Sequence, residues 1–409
     1  MSEDFDIAVV GAGPAGAGAA CAAARRGLRV ALIDREVFPR DKTCGDGIGP
    51  GAVGALRQLG LDGVLAGRRR IESVTVFGPA GERSENPVPV LADKSTEVYV
   101  VPRLEFDEHL FRAALAAGAA DLTGTRYLGM AEEPGGRARI VELRDASGAP
   151  RRLRAHLVIG ADGAYSAVRK DLLGPDRTSR KFVGVAMRAY APSRDFEAAA
   201  GPSMLFEFSR ELLPSYGWIF PVGDGTVNIG VGLPIAQLRA RGVDLRALLA
   251  QFADRLRERG VDLGELGPKR AHQLPGAVGM PRLAFERAAL IGDAASMINP
   301  VSGEGIAYAM TSARRLIAAL PADLADGAAL HAALAGFERG FRADHRLHFL
   351  SCRFTMALLR HAAPAAMVVR AIQNDPRVLD GVFDMLFGDG RLHADTALRI
   401  ARHAAAVAR

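Results

Sequence analysis

The chain has 409 residues, of which 49% are hydrophobic and 24% charged, as expected for a folded protein with a large core rather than a disordered chain. Its formal net charge of +6 is small and spread along the sequence, which argues against nucleic-acid binding. The three cysteines, Cys21, Cys44 and Cys352, are far apart and odd in number, so they indicate a reducing compartment rather than a disulfide framework.

The uncharged segment 7–24 nominally reaches the length of a transmembrane helix. It is rich in glycine and alanine and contains Pro14, and the acidic residues before it have the wrong sign for a signal peptide. A strand, a tight turn and a helix therefore describe the segment better than a membrane span. We expect a cytoplasmic protein.

The first part of the chain predicts a βαβ opening followed by further strands and helices. Short apolar runs bounded by glycine indicate buried strands, and apolar residues at helical spacing indicate helices. In chain order we expect a strand at Phe5–Val10, a helix at Ala17–Gly27, a strand at Leu28–Asp34, a helix from Gly51 to about Leu59, a strand at Ile71–Phe77, a helix at Val101–Ala117, and strands at Ala138–Arg144 and Leu153–Ile159.

Between residues 181 and 233 the pattern changes to a run of strands, with the hairpin signal Asp224-Gly225 between the last two. We expect an antiparallel sheet here, distinct from the βαβ opening. Residues 328–409 have helical periodicity and are punctuated by Pro364 and Pro376. The predicted elements are strands at Phe182–Tyr190, Met204–Phe208, Tyr216–Val222 and Thr226–Leu233, a helix at Asp244–Arg259, a strand at Ala288–Gly292, and a helix from about Gly305 to Leu320.

The turn Gly11-Ala12-Gly13-Pro14-Ala15-Gly16 carries the pattern G-x-G-x-x-G between a predicted strand and a predicted helix. Gly11 permits the tight turn, Gly13 lets the backbone approach a pyrophosphate, and Gly16 lets the helix pack on the strand. The helix N-terminus, including Ala15, then faces the phosphates. Asp34, followed by Arg35, ends the second strand where an acid should hold ribose hydroxyls. The pattern predicts a dinucleotide site.

Two later motifs, Gly160-Ala161-Asp162-Gly163 and Gly292-Asp293-Ala294-Ala295, each follow a predicted strand. With the first glycine turn, they resemble the para-hydroxybenzoate hydroxylase-like flavoproteins in order and spacing. The resemblance implies FAD as the cofactor, with Asp293 at its ribitol and the Asp162 stretch beside the pyrophosphate and a nicotinamide donor. The alternative is that either aspartate only caps a turn.

The same resemblance implies two further cofactor contacts. Pro300–Gly305 opens a predicted helix whose N–H groups would face the flavin, where a positive helix end stabilises negative charge. Gly303 and Gly305 would leave room for the ring. Arg103 matches the arginine that opens the R-x-x-F-D helix of the family, and it is expected to contact the cofactor unless it is only a solvated residue at a helix start.

Three runs resemble the geranylgeranyl reductase family more closely: Lys42–Gly47 (KTCGDG), Tyr216–Pro221 (YGWIFP) and Gly292–Gly305. The resemblance covers residues 1–320 or so. It implies that reduced FAD gives a hydride to a carbon–carbon double bond of a polyprenyl chain, with Cys44 and Gly45 beside the flavin. NAD(P)H and reduced ferredoxin both serve as electron donors in the family, and both stay open here.

The expected fold is α/β, with a Rossmann-type FAD-binding domain, an inserted antiparallel-sheet substrate domain and a helical C-terminal part. The FAD-binding domain is predicted to be discontinuous, and the C-terminal part is predicted to cover the substrate cavity. The expected boundaries are 1–70, 100–175 and 280–327 for the FAD-binding domain, 71–99 and 176–279 for the substrate domain, and 328–409 for the C-terminal helices.

Tyr216, Trp218 and Phe220 alternate along a strand, so all three side chains can face one cavity. Phe206 and Phe208 are expected to line it as well, which predicts an apolar small molecule or lipid as substrate. In this hypothesis Cys44 or Tyr216 donates a proton, and Trp218 stabilises positive charge on the alkene. The alternatives are that the aromatic side chains fill the core of the sheet and that Cys44 is a small residue in a tight turn.

Other functions remain open at this point. The main one is an FAD-dependent monooxygenase that acts on an aromatic or polyketide intermediate. A flavin halogenase, whose W-x-W-x-I-P signature is matched only in part, and a flavin-carrying binding protein are further alternatives. His345, His348 and Cys352 share one helix face, but no fourth ligand accompanies them, so we expect no metal site.

The apolar residues near basic ones in the C-terminal helices allow two interpretations. They either pack in the core or contact a membrane surface from one side. The residues concerned are Leu358, Leu359, Met367, Val368 and Val369.

Overall fold

The protein, described by a computed structural model over residues 3–90, 95–174, 183–194, 196 and 202–407, folds into two large β-sheets surrounded by helices. The strands are β1 (Glu3–Val10), β2 (Val30–Asp34), β3 (Gly47–Ile48), β4 (Ser73–Phe77), β5 (Arg83–Pro87), β6 (Tyr99–Val100), β7 (Ala120–Thr123), β8 (Arg126–Glu132), β9 (Arg139–Arg144), β10 (Pro150–Gly160), β11 (Val183–Pro192), β12 (Ser203–Glu207), β13 (Gly217–Pro221), β14 (Thr226–Pro234), β15 (Arg270–Pro275), β16 (Ala284–Phe285) and β17 (Ala288–Leu290). The helices are α1 (Pro14–Arg25), α2 (Pro50–Leu59), α3 (Arg103–Ala116), α4 (Ala167–Leu173), α5 (Ile235–Arg241), α6 (Leu245–Glu258), α7 (Ile306–Ala319), α8 (Gly327–Leu358), α9 (Ala362–Asn374), α10 (Pro376–Phe387) and α11 (Ala394–Val407).

The first sheet has eight strands, and its central strands β17, β10, β1, β2 and β7 run parallel. Residues Ile7–Val10 and Val30–Ile33 are buried, which explains why the sequence shows continuous apolar runs there instead of alternation. Helix α1 packs against α3 and α7. Because the strands are parallel, their carboxyl ends at Val10, Asp34 and Gly160 meet at one edge of the sheet, where ligands bind in this architecture.

The second sheet has the strand order β15-β11-β14-β13-β12-β4-β5. Its pairs are antiparallel, as predicted, except that β12 pairs parallel with β4. The predicted Asp224-Gly225 hairpin joins β13 to β14. Side chains alternate along β13: Ile219 packs with Phe252 of α6 on one face, whereas Trp218 and Phe220 point to the face that α9 and α10 cover.

The predicted elements lie where the sequence places them, with ends shifted by a few residues. Helix α1 begins at Pro14 and not at Ala17, because the fixed φ of proline suits the first turn of a helix. Strand β11 corresponds to the strand predicted at Phe182–Tyr190, and the predicted first residue, Phe182, lies outside the described residues. Strands β5, β7, β8 and β15 were not predicted. Each has a single partner strand, so polar side chains face solvent and conceal the strand pattern.

Four helices follow residue 327, as the periodicity predicts. Pro364 lies in the first turn of α9 and Pro376 is the first residue of α10, so both prolines begin helices. In the part of the chain that the structure describes, no helix is both long enough and apolar enough to cross a membrane.

Candidate active site

A large cavity of about 1510 Å³ lies where the carboxyl ends of the first sheet face the second sheet. The glycine turn after β1 and the loop after β2 line one region, and β13 lines another. The end of α8 and Phe387 of α10 line it as well. Its volume exceeds the roughly 300–1,000 Å³ of an ordinary small-molecule pocket. The cavity therefore has room for a dinucleotide and a second molecule.

The glycine turn is fixed by close backbone approaches. Gly11 has a φ of +102°, and a Cβ atom on it would lie 2.4 Å from the carbonyl oxygen of Ala161. A Cβ atom on Gly16 would lie 1.7 Å from the carbonyl oxygen of Gly11. Gly13 is different, because its nearest neighbour would be a guanidinium nitrogen of Arg40 at 3.4 Å, and it lines the cavity. Gly11 and Gly16 are thus required by the fold, whereas Gly13 keeps space open for a ligand.

The start of α1 and Asp34 form the nucleotide end of the cavity. No side chain caps α1, so its first N–H groups are available to phosphates. Asp34 Oδ2 accepts a hydrogen bond of 2.7 Å from the backbone N–H of Ala12, and Oδ1 accepts one of 2.9 Å from that of Glu36. Asp34 therefore fixes the glycine turn, and its carboxylate oxygens keep lone pairs for hydroxyl groups of a ribose.

The second motif lines the cavity, and the carboxylate of Asp162 also binds the start of α4. Asp162 accepts hydrogen bonds from Ala167 N at 2.6 Å and Val168 N at 3.1 Å, at the N-terminus of α4. This is the capping role, so the alternative interpretation holds for the Asp162 side chain. The stretch Ala161–Tyr165 still lines the cavity. Arg169 links it to the third motif, because it donates to the carbonyl oxygens of Ala164 at 2.8 Å and Ala294 at 2.9 Å.

The third motif places Asp293 at the cavity beside Lys42. The Lys42 ammonium lies 3.0 Å from Asp293 Oδ2. Burial alone would raise the pKa of Asp293, but the Lys42 charge and hydrogen bond outweigh it and hold the pKa below its usual value. A Cβ atom on Gly305 would lie 3.1 Å from Asp293 Oδ1, so the small residue before α7 keeps this carboxylate accessible.

Arg103 is buried and lines the cavity, which excludes the solvated alternative. Its Nε and Nη2 each lie 2.7 Å from a carboxylate oxygen of Asp107. Arg40 Nη1 also lies 2.7 Å from Asp107 Oδ2. Because Asp107 is fully buried, two guanidinium groups are fixed on it at the cavity wall, beside Cys44.

Two residues that the sequence motifs did not indicate, Asn228 and Tyr190, hold the loop that carries Cys44. Asn228 Nδ2 donates to the Cys44 carbonyl oxygen at 2.8 Å and to Asp46 Oδ2 at 2.7 Å. Its Oδ1 accepts from Trp218 Nε1 at 3.0 Å. The Tyr190 hydroxyl donates to the same Asp46 oxygen. Asn228 therefore couples the Cys44 loop to the indole of Trp218.

Asp46 is fully buried and has a φ of +63°. Burial raises its pKa to about 6, although the Tyr190 and Asn228 hydrogen bonds oppose the shift. Asp46 and Trp218 belong to the two runs, Lys42–Gly47 and Tyr216–Pro221, that the sequence analysis selected. Asn228 and Tyr190 gave no signal, because each is one polar residue in a buried strand.

The aromatic wall differs from the prediction in two residues. Tyr216, Trp218 and Phe220 line the cavity, but Phe206 and Phe208 do not. The Phe206 ring packs behind the wall, with its centroid 5.3 Å from that of Tyr216 and 5.2 Å from that of Phe220. The Phe208 ring packs 5.6 Å from Tyr216. The wall is completed by residues from other elements, namely Met204, Met356 and Phe387.

Both predicted proton donors keep their protons at neutral pH. Burial raises the pKa of the Cys44 thiol, against the opposing effect of Arg103. Burial also raises the pKa of Tyr216, whose hydroxyl donates to the carbonyl oxygen of Ser302. The Tyr216 proton is therefore already engaged by the protein.

The structure brings most of the selected residues to this one cavity. Besides Phe206 and Phe208, two candidate site residues do not line the cavity: Gly16 packs against Gly11, and Gly292 packs against Ala15. The selected residues that line the cavity are Gly11, Gly13, Ala15, Asp34, Arg35, Cys44, Gly45, Arg103, Asp162, Gly163, Tyr216, Trp218, Phe220, Asp293, Pro300, Gly303 and Gly305. The histidines His345 and His348 lie elsewhere and form hydrogen bonds to the backbone carbonyls of Phe341 and Gly390.

Comparisons with known proteins identify the family. Residues 4–340 match the family model of the FAD binding domain. The chain is 37% identical over 316 residues to the menaquinone reductase of Mycolicibacterium smegmatis, covering 77% of this chain and 76% of that relative. It is 32% identical over 339 residues to the geranylgeranyl diphosphate reductase of Rhodobacter capsulatus, covering 81% and 80%. The crystal structure of a geranylgeranyl bacteriochlorophyll reductase-like protein from Thermoplasma acidophilum has a TM-score of 0.80 over 98% of this chain and 96% of that chain, at 21% identity.

The parallel sheet, the glycine turn and the family match define an FAD-binding flavoprotein. The residues present fit the cofactor, since Gly13 leaves the backbone open where a pyrophosphate would lie and the cavity is large enough. Within this class, the identity to two reductases over most of their length shows that the chain belongs to the geranylgeranyl reductase family. The resemblance found in the sequence is confirmed.

Proposed function

We propose that this protein is an FAD-dependent reductase that saturates carbon–carbon double bonds of a polyprenyl substrate, such as a menaquinone side chain or a geranylgeranyl compound. One observation carries the proposal: the residues suited to FAD and an aromatic, apolar wall line the same cavity. The names of the relatives, menaquinone reductase and geranylgeranyl diphosphate reductase, support this substrate class.

The chain offers a contact for each part of the cofactor. We infer that the turn at Gly11–Gly16 receives the pyrophosphate, that Asp34 and Arg35 hold the adenosine ribose, and that Asp293 binds the ribitol. The N-terminus of α7 has no side-chain cap, so its N–H groups stabilise negative charge at the flavin. When bound and reduced, FAD supplies a hydride to the alkene.

The second sheet supplies the other half of the site. Tyr216, Trp218 and Phe220 exclude water and give an isoprenoid chain an apolar surface. Asn228 fixes the indole of Trp218, whose face stabilises positive charge that develops on the alkene carbon. We accordingly propose the division predicted from the sequence, with the first sheet as the FAD-binding domain, the second as the substrate domain, and the C-terminal helices over the cavity.

A monooxygenase is the alternative reaction on this fold, and a fold by itself does not determine the reaction. The reductase is favoured because the relatives from Mycolicibacterium smegmatis and Rhodobacter capsulatus, each above 30% identity, are both named reductases. Two donors fit the proposal, NAD(P)H and reduced ferredoxin. Mixing each donor with the oxidised holoprotein without oxygen, and following the loss of the visible flavin absorbance, identifies the one that is used.

The decisive experiment measures the product. The flavin is reduced chemically without oxygen, a menaquinone or geranylgeranyl diphosphate is added, and the products are analysed by mass spectrometry. We expect products heavier by two hydrogens for each saturated bond. Parallel reactions under oxygen are screened for incorporation of an oxygen atom, and oxygen incorporation without any anaerobic saturation would overturn the reductase in favour of the monooxygenase.

We further propose that α8 rests on a membrane surface from which the substrate enters. Leu347, Leu350, Phe354 and Leu358 are between 40% and 58% exposed, and their spacing places them on one side of the helix. Arg346, Arg353 and Arg360 follow at intervals of seven residues, are exposed, and suit anionic headgroups. The same end of α8 lines the cavity through Met356 and Ala357.

This surface differs from the one that the sequence suggested. Leu359 and Val369 are buried, so for them the core-packing interpretation is correct, and only Leu358 belongs to the exposed surface. Flotation with anionic vesicles should recover the wild type, and the variant L350S/F354S should remain unbound. Leu398→Ser on α11 is the matched control, since Leu398 is equally exposed but distant in sequence. Equal flotation of both variants would contradict the proposed surface.

A further inference from the structure

Glu304 is a partly exposed residue at the edge of the cavity whose carboxyl oxygens are shielded from solvent and have no partner among the described residues. It lies in the segment that leads into α7 and lines the cavity. Its backbone is fixed, because its carbonyl oxygen accepts from Asn299 N at 2.8 Å. Both carboxyl oxygens are shielded from solvent, and neither has a hydrogen-bond partner among the described residues. A carboxylate in this position would be a buried charge without compensation.

The two neighbouring tyrosines direct their protons elsewhere. The Tyr216 hydroxyl donates to the carbonyl oxygen of Ser302. The Tyr308 hydroxyl lies 2.6 Å from His348 Nε2. His348 Nδ1 lies 2.5 Å from the carbonyl oxygen of Gly390, which can only accept, so Nδ1 carries the proton. Burial lowers the pKa of His348, so the ring is neutral and Nε2 accepts from Tyr308.

Two ion pairs lie at the cavity. Lys42 pairs with Asp293, and Arg103 pairs with Asp107. Beyond Tyr308, the thiol of Cys352 faces His348 at 3.7 Å and is neutral, because burial raises its pKa to about 12. Burial is thus the dominant influence on Glu304 and raises its pKa to about 8. At neutral pH Glu304 is therefore mainly a carboxylic acid.

We propose that Glu304 is the proton donor that completes saturation of the double bond, a step that rests on the proposed reductase function. One alkene carbon gains a hydride, which the reduced cofactor supplies, and the π electron pair forms the second C–H bond with the proton of the Glu304 carboxyl. The alkene gains two hydrogens, the cofactor is left oxidised, and Glu304 is left as a carboxylate. Water that enters after product release restores its proton.

Glu304 suits this role better than the two donors predicted from the sequence. The proton of Tyr216 is held by the Ser302 carbonyl oxygen. Cys44 lies beside the Arg103 guanidinium, where its thiol can position the substrate. No group among the described residues forms a hydrogen bond with the Glu304 carboxyl, and general acids are most effective when their pKa is close to the working pH.

The test compares Glu304→Gln with the wild type as FAD-loaded protein, reduced chemically and mixed once with a polyprenyl substrate without oxygen. The amide keeps the shape but has no acidic proton. We expect saturation to slow by about 10²–10⁴-fold. The wild-type rate should fall as the pH rises through about 8, and the variant should lose this dependence. Glu258→Gln, at the exposed end of α6, is the control and should keep both the rate and the pH profile.

A second measurement does not depend on turnover. Infrared spectra of the oxidised holoprotein should contain a protonated carboxyl band that disappears as the pH passes about 8, and Glu304→Gln should lack it. Glu304→Asp keeps an acidic group and should therefore retain part of the rate and its pH dependence. This variant replaces Glu304→Gln in the test if the amide variant does not bind FAD. Wild-type rates in Glu304→Gln with full FAD occupancy, or no carboxyl titrating near this pH, would overturn the proposal. If the wild type saturates no polyprenyl compound, the reductase function fails, whereas the infrared titration still decides whether Glu304 holds a proton.

Discussion

Asn228→Ala is the most direct test of the network that joins Trp218 to the Cys44 loop. Asn228 is fully buried, and the substitution removes hydrogen bonds to Trp218, Cys44 and Asp46. The two bonds to neutral groups contribute about 1 kcal/mol each, and the bond to the carboxylate contributes about 1.5–3 kcal/mol. We therefore expect the free energy of unfolding to fall by about 4 kcal/mol at a pH where Asp46 is ionised.

The assay uses the fluorescence of Trp218. It is the single tryptophan of the chain, so its emission reports on this site alone. In Asn228→Ala the indole loses its acceptor, and we expect its emission spectrum to change and the urea midpoint of the holoprotein to fall. Asn86→Ala is the matched control, because Asn86 lies on the edge strand β5 and its side chain bonds to Ser84 of the same strand. An unchanged spectrum together with an unchanged urea midpoint would refute the reasoning.

Three further predictions concern binding, rate and pH. Gly13→Val should fold but lose FAD, because the added side chain would occupy the space that the pyrophosphate needs. Flavin absorbance measures the bound FAD, and Gly54→Ala, where a Cβ atom meets nothing within 4 Å, is the control. A Gly13→Val protein with full flavin absorbance would contradict the prediction. Cys44→Ala should keep FAD and, because the thiol positions the substrate, should slow saturation about 10²-fold in rapid mixing without altering the pH profile; an unchanged rate would return Cys44 to a structural role. Asp46 has a folded-state pKa raised to about 6, so its contribution to stability is complete below its unfolded pKa and is lost as the pH rises through about 6. Thermal midpoints should therefore fall more between about pH 4 and pH 7 in the wild type than in Asp46→Asn, and parallel curves would exclude this assignment.

The sequence by itself determined the local units of this protein and the cofactor that they bind. The β1–turn–α1 unit follows from steric requirements within one short segment: Gly11 has positive φ, and Gly16 lies against Gly11. Such requirements act between near neighbours in the chain, so the pattern of glycines reveals them. Hydrophobic periodicity and hairpin signals also depend on residues that are close in sequence, and they located most central strands and helices. Solvent-facing edge strands such as β15 gave no such pattern.

Only the tertiary structure decided how these units share one site. Asn228 reaches Asp46 across 182 positions of the chain, and no local pattern predicts that contact. The direction of a carboxylate is equally non-local: Asp34 and Asp162 both lie at the carboxyl ends of strands and line the cavity, but Asp34 fixes the glycine turn whereas Asp162 caps α4. Phe206 and Trp218 lie opposite each other in the sheet, yet only Trp218 reaches the cavity, because Met204 and Phe387 occupy the remaining wall. The proton affinity of Glu304 follows from the burial of its carboxyl oxygens, and burial is a property of the packed chain that a residue's neighbours in sequence do not fix.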